Sequence, residues 1–84
     1  IYQTLCEAKE KILAGNRDYN KICTEALNRL KADGFDPDYF EIRHAKNLDK
    51  IEGDEAIESL AILVAALLGK TRLIDNIVFK LPDA

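Results

Sequence analysis

Two cysteines and one histidine are the side chains of this 84-residue chain best suited to bind a transition metal. Cys6, Cys23 and His44 lack the close Cys or His pairs that zinc sites use. We therefore predict no metal site on them. Cys23 falls on the apolar side of a predicted helix, which indicates a small buried hydrophobe. Two reduced thiols fit a cytoplasmic protein.

A second chemical pattern is Gly69-Lys70-Thr71, which matches the end of a phosphate-binding loop. The upstream glycine of that loop is missing, and strand-like segments flank the tripeptide, so we predict a hairpin turn. Ser59 is the only serine, and no neighbouring histidine activates it as a nucleophile. We predict no catalytic or cofactor-binding residues in this chain.

Residues 49–58 carry a cluster of carboxylates, the chemistry that calcium prefers. The members are Asp49, Glu52, Asp54, Glu55 and Glu58. Their spacing does not match a calcium-binding loop, so a solvated connection is the preferred interpretation.

The segment GKTRLIDNIVFKL, residues 69–81, places an acid inside a hydrophobic alternation. Asp75 has the same parity as Leu73 and Ile77, and Asn76 follows it. We predict a β-bulge at this pair, which turns the polar side chain away from the core.

Two arginines, Arg43 and Arg72, are the predicted partners of the Asp75 carboxylate. On that basis Asp75→Ala would cost about 1–3 kcal/mol, because it leaves a buried donor unsatisfied. The alternative is that Asp75 and Asn76 face another domain and act there. Arg43, Arg72, Asp75 and Asn76 are therefore the candidate residues for fixing the sheet or for closing a lid.

The elements that position these residues follow from periodicity. Residues 1–34 show two amphipathic helical segments, the first ended by Gly15 and the second by Gly34. Asn16 or Asp18 is the predicted N-cap of the second helix. A short turn between the helices favours an antiparallel hairpin.

Residues 39–81 are predicted to hold three strands. The tripeptide 36–38 reads as a turn before the first strand. Residues 60–68 are apolar on both parities, so the pattern does not separate a buried strand from a buried helix, and we choose a central strand. The predicted fold is α+β, a helical hairpin packed on a three-stranded antiparallel sheet in the order ααβββ.

Composition excludes several classes of protein. The net charge of −3 gives no basic stripe for nucleic acid. The nine apolar residues of 60–68 fall short of the roughly 20 that a membrane helix needs. Because the chain begins on Ile1 rather than Met, we expect a fragment of a longer protein.

Two longer stretches carry distinctive patterns: residues 33–48 contain DY-x-E-x-R-x-A-x-x-L, and residues 60–77 contain VAA-x-LG-x-TRLIDN. Together they closely resemble the pantoate–β-alanine ligase family. The matching residues are Asp38, Tyr39, Glu41, Arg43, Ala45, Leu48, Val64, Ala65, Ala66, Leu68, Gly69, Thr71, Arg72, Leu73, Ile74, Asp75 and Asn76. His44 departs from the family, which often has an acidic residue there, so it receives no role.

The resemblance implies an enzyme that condenses pantoate with β-alanine, using ATP with Mg. Pantoyl adenylate forms first with release of pyrophosphate, and the amine of β-alanine then displaces AMP. Two family motifs, one HIGH-like and one SSRN, belong to the N-terminal domain or the hinge and do not occur in these residues.

Residues 1–84 would then be a C-terminal lid domain that is inactive alone and binds no cofactor. Its partner would be its own N-terminal catalytic domain, and the full enzyme would be a cytoplasmic homodimer. The alternative from the residues themselves is a free-standing αα-βββ module that binds a protein partner through its sheet.

Overall fold

The computed structural model describes residues 1–49, 51 and 58–81. Most of the acidic cluster, Glu52, Asp54 and Glu55, lies outside these residues. Within them the order is two helices followed by three strands, and the sheet is antiparallel. The predicted α+β class and the choice of a strand for residues 60–68 are confirmed.

Helix α1 covers Tyr2–Leu13 and α2 covers Tyr19–Ala32. Helix α2 begins on a side-chain cap, whereas α1 follows Ile1 without one. The carboxylate of Asp18 caps α2 by accepting the backbone N–H of Lys21 at 3.2 Å. This confirms Asp18 rather than Asn16 as the N-cap.

Both helices close in the same way, on a left-handed glycine. Gly15 has φ +109° and Gly34 has φ +91°. After α2, the N–H of Phe35 donates to the carbonyl of Leu30 at 2.9 Å, and that of Gly34 donates to the carbonyl of Lys31 at 3.1 Å. This is the Schellman arrangement, which satisfies the last carbonyls of a helix.

The strands are β1, Asp36–His44; β2, Ser59–Leu68; and β3, Thr71–Lys80. Their order in the sheet is β1-β2-β3, so β2 is central. Gly69 has φ +62° and Lys70 has no positive φ, which is the type II′ turn expected of a two-residue hairpin.

The first strand begins earlier than predicted. Residues 36–38 belong to β1, and the register shifts between Pro37 and Tyr39, where Asp38 is the extra residue. The predicted turn there is wrong. Proline lacks an N–H for the ladder, and an edge strand with a bulge accommodates it.

The core lies between the helices and one face of the sheet, which we call the inner face. Helix α2 packs over β1, and α1 packs over β2 and β3. The buried residues of this core are Leu5, Ala8, Ile12, Ile22, Ala26, Leu30, Phe40, Ile42, Leu60, Ile62, Val64, Phe79 and Leu81.

Candidate functional site

The second face of the sheet, which we call the open face, carries no helix in the part of the chain that the structure describes. The pairing register brings four residues of β1, five of β2 and five of β3 onto it. They are Asp36, Tyr39, Glu41, Arg43, Ser59, Ala61, Leu63, Ala65, Leu67, Arg72, Ile74, Asn76, Val78 and Lys80.

The centre of the open face is apolar. Ile74 and Val78, four residues apart on β3, expose 63% and 61% of their surface. Ala61 and Ala65 on β2 are almost fully buried, at 1% and 0%. Larger neighbours shield both alanines, because Ala65 pairs with Tyr39 and Ile74 in one row across the sheet. The small alanine side chains of β2 therefore form a shallow groove between the larger side chains of β1 and β3.

Both candidate arginines lie on the open face, and each has an acidic partner there. The guanidinium of Arg43 donates to the carboxylate of Glu41 at 2.8 Å. The guanidinium of Arg72 reaches across β2 to the carboxylate of Asp38, at 3.2 Å. The bulge in β1 supplies Asp38 for this pair. The charge of each arginine is therefore balanced locally.

Asp75 is placed differently from the other candidates. It pairs with Val64 in an unbroken register between β2 and β3, so the predicted bulge at Asp75–Asn76 is wrong. Its parity is that of Ile77, and its half-buried side chain lies on the inner-face side of β3. The carboxylate accepts the backbone N–H of Asn76 at 2.8 Å.

The predicted arginine partners of Asp75 are also wrong, because Arg43 and Arg72 contact Glu41 and Asp38 instead. The structure thus brings Arg43, Arg72 and Asn76 to one face and leaves Asp75 off it. Asp75 has a local backbone role instead.

The hairpin explains why the N–H of Asn76 needs such a partner. In a two-residue hairpin the closing pair, Leu68 and Thr71, exchanges hydrogen bonds, and every second pair after it does so too. Asn76 opposite Leu63 falls on an intervening pair. Its N–H therefore points away from β2 along the free edge of β3, where the Asp75 carboxylate meets it.

Sequence reasoning did not single out Ile74 and Val78 as functional residues. The available signal was that both sets of alternate residues in 72–80 are partly apolar. One set faces the core, and the other set contains Ile74 and Val78. A strand with one solvated face carries polar residues on that parity instead.

Cys23 lies on the core side of α2, as its place in the helical pattern predicts. Cys23 is partly buried and packs against the core. Burial raises the pKa of the Cys23 thiol, and the backbone N–H of Ile42 opposes this only in part. No group of three His, Cys, Asp or Glu side chains in residues 1–49, 51 and 58–81 is arranged to hold a metal ion.

Neither helix in the described ranges combines the length and the apolar character needed to cross a membrane. Helices α1 and α2 have 12 and 14 residues. The apolar segment 60–68 lies within a strand.

Comparison with known proteins identifies relatives for nearly the whole chain. Residues 1–78 match the family model described as pantoate-beta-alanine ligase. The chain is similar to the pantothenate synthetase of Marinomonas sp. (strain MWYL1), with 49% identity over 77 residues, covering 92% of this chain and 27% of the relative. It is also similar to the pantothenate synthetase of Methylococcus capsulatus (strain ATCC 33009 / NCIMB 11132 / Bath), with 44% identity over 81 residues, 96% of this chain and 28% of the relative.

A third similar protein is the pantothenate synthetase of Pseudomonas fluorescens (strain Pf0-1), with 44% identity over 77 residues, 92% of this chain and 26% of the relative. The chain thus spans about a quarter of the length of these curated relatives.

Proposed function

This chain belongs to the pantoate-beta-alanine ligase family, and on that basis we propose that it is the C-terminal lid domain of a ligase that joins pantoate to β-alanine. The observation that carries the proposal is the match over residues 1–78 combined with a coverage of 26–28% of the relatives. The full enzyme would use ATP with Mg, pass through pantoyl adenylate and act in the cytoplasm.

The residues described here do not fit a nucleotide or Mg site of their own. The described glycines Gly15, Gly34 and Gly69 are isolated at turns, and the described acids form no metal-holding group. Both arginines of the open face are already paired. The adenylating groups are therefore assigned to the N-terminal catalytic domain, and no chemical step is assigned to residues of this chain.

The contribution of a lid is to exclude water. An acyl adenylate is a mixed anhydride that water hydrolyses, so closing the site favours attack by the amine of β-alanine. A face with an apolar centre, such as the one around Ile74 and Val78, suits this role. The apolar side chains of that centre form no hydrogen bonds that would hold water in the closed site.

The parent reading frame gives the first test. A HIGH-like motif upstream and an SSRN-like motif directly before Ile1 are expected. An independent start codon at this position would instead favour the free-standing αα-βββ module.

Activity gives the second test. The full-length protein should form pantothenate and AMP from pantoate, β-alanine and ATP, whereas the 84-residue chain alone should form none. Titration calorimetry of the chain with ATP should show no micromolar binding. Pantothenate formation by the chain alone, or none by the full-length protein, would refute the proposal.

The oligomeric state follows from where the dimer contacts lie. We expect the full enzyme to be a homodimer held largely by its N-terminal domain, so the 84-residue chain should sediment as a monomer. A tight dimer of the chain at equilibrium in the ultracentrifuge would contradict this.

A further inference from the structure

We propose that the open face of the sheet docks on the catalytic domain of the same polypeptide, with α1 and α2 left on the outer side of the closed enzyme. This inference rests on the lid function proposed above. The open face is then the contact surface of the lid, and the catalytic domain is its partner.

The central strand carries the first argument. From Leu60 to Leu68 every residue of β2 is apolar, on both faces. An antiparallel strand that leaves one face in water normally alternates, whereas strands covered on both sides are apolar throughout. The helices cover only the inner face. The composition of β2 therefore indicates a second covering layer, over Leu63 and Leu67.

The residues on either side of this strand also have the composition of a protein interface. Ile74 and Val78 stand exposed beside the buried Ala61 and Ala65. Protein interfaces combine an apolar centre with a polar rim, and unpaired charge is depleted at their centre. Both arginines of the rim are already paired with carboxylates, Arg43 with Glu41 and Arg72 with Asp38. A partner that covers the face therefore buries no unpaired arginine.

The size of the face distinguishes the possible occupants. Four residues of β1, five of β2 and five of β3 form it. A stable interface between free proteins uses about 20–30 residues a side, because association costs translational and rotational freedom. A domain linked in the same chain avoids most of that cost through its high effective concentration. A face this small therefore suits a tethered partner rather than a second copy.

The length of the family supplies that partner. The relatives are almost four times as long as the matched region, which leaves ample chain for a larger domain. In the proposed enzyme that domain joins ahead of α1, and α1 packs against β3.

Cysteine labelling of the full-length protein tests this assignment. In a background with Cys6 and Cys23 replaced by alanine, as well as any cysteines elsewhere in the full-length protein, Ile74→Cys and Val78→Cys probe the open face. Glu10→Cys and Asn28→Cys, which are exposed on the helices, are the matched controls. Maleimide labelling is measured with pantoate and a non-hydrolysable ATP analogue present, and each rate is normalised to the same variant in urea. We expect open-face rates at least tenfold below the control rates.

A photoreactive benzophenone on Val78→Cys then identifies the occupant. The expected product is a crosslink within one chain, at the mass of a single polypeptide, mapping to residues outside this 84-residue region. Labelling of Ile74→Cys as fast as Asn28→Cys, or a crosslink that joins two chains, would overturn the inference.

Pantothenate formation by the same unlabelled variants keeps the two proposals apart. An active enzyme with an accessible open face would refute the docking assignment alone. If the full-length protein without these substitutions forms no pantothenate, both the lid function and this inference are refuted.

Discussion

The carboxylate of Asp75 accepts the backbone N–H of the next residue, Asn76, at 2.8 Å. The ladder to β2 leaves this N–H on the free edge of β3, where an unpaired donor invites a foreign strand. An acid in the middle of an apolar strand is thereby explained without a buried ion pair. The contact is exposed to solvent, so its contribution to stability is small.

Asp75→Ala tests this role. We expect a loss of about 0.5–1 kcal/mol of unfolding free energy, the usual size for one ordinary hydrogen bond, measured by urea denaturation of the 84-residue chain. Asp75→Asn keeps an acceptor oxygen and should lose less than about half of that. A loss above roughly 3 kcal/mol for the alanine variant would instead indicate a buried charged partner.

Leu60→Ala tests the core. Leu60 is 0% exposed on the inner face of β2, and its truncation leaves a cavity, so we expect a loss of about 2–5 kcal/mol. Leu68→Ala at the other end of the same strand is the matched control. Leu68 is 47% exposed, and a cost below about 1 kcal/mol is expected there. Equal costs at the two positions would contradict the assignment of the inner face as the core.

Asp18→Ala tests the start of α2. The variant removes the acceptor of the Lys21 N–H, and loss of an N-cap costs about 0.5–2 kcal/mol. Asp18→Asn preserves the cap and should retain nearly all of the stability. Chemical denaturation followed by circular dichroism at 222 nm reports both variants, and an alanine variant as stable as the asparagine variant would count against the cap.

The free energy of unfolding should depend on pH through the Cys23 thiol. Burial raises the pKa of its thiol above the ordinary value of 9.0. As pH rises past that value, the unfolded chain loses the thiol proton before the folded chain does. The folded state then binds more protons, and the free energy of unfolding falls.

Comparison of the chain with its Cys23→Ala variant isolates this effect, since both share all other titrating groups. Between about pH 8 and pH 11 the parent should lose more stability than the variant. The sign is the test: identical slopes, or a steeper loss in the variant, would show that the thiol is not desolvated in the folded state.

Local signals were readable from the sequence because the interacting groups lie within a few residues of each other. The cap at Asp18 and the closure at Gly34 depend on the backbone of adjacent turns, and both are confirmed. The turn at Gly69 follows the same logic. In contrast, periodicity left residues 60–68 open between helix and strand, because a strand covered on both faces has no alternation.

The partners of Arg43 and Arg72 were not readable in this way. A guanidinium reaches several neighbouring carboxylates, and the bulge in β1 decides which one it meets. That bulge puts Asp38 within reach of Arg72, although 34 positions separate them in the chain. The open face itself became visible only once the register was known, because the register alone brings Ile74 and Val78 together with Ala61 and Ala65.

The sheet order β1-β2-β3 also has a kinetic consequence. Each strand pairs with its neighbour in sequence, so the contact order of the sheet is low and rapid folding is expected. The loop closed by β2 and β3 has two residues, whereas residues 45–58 separate β1 from β2. Loop-closure entropy therefore favours the β2–β3 hairpin as the first tertiary structure, onto which β1 and the helices then assemble.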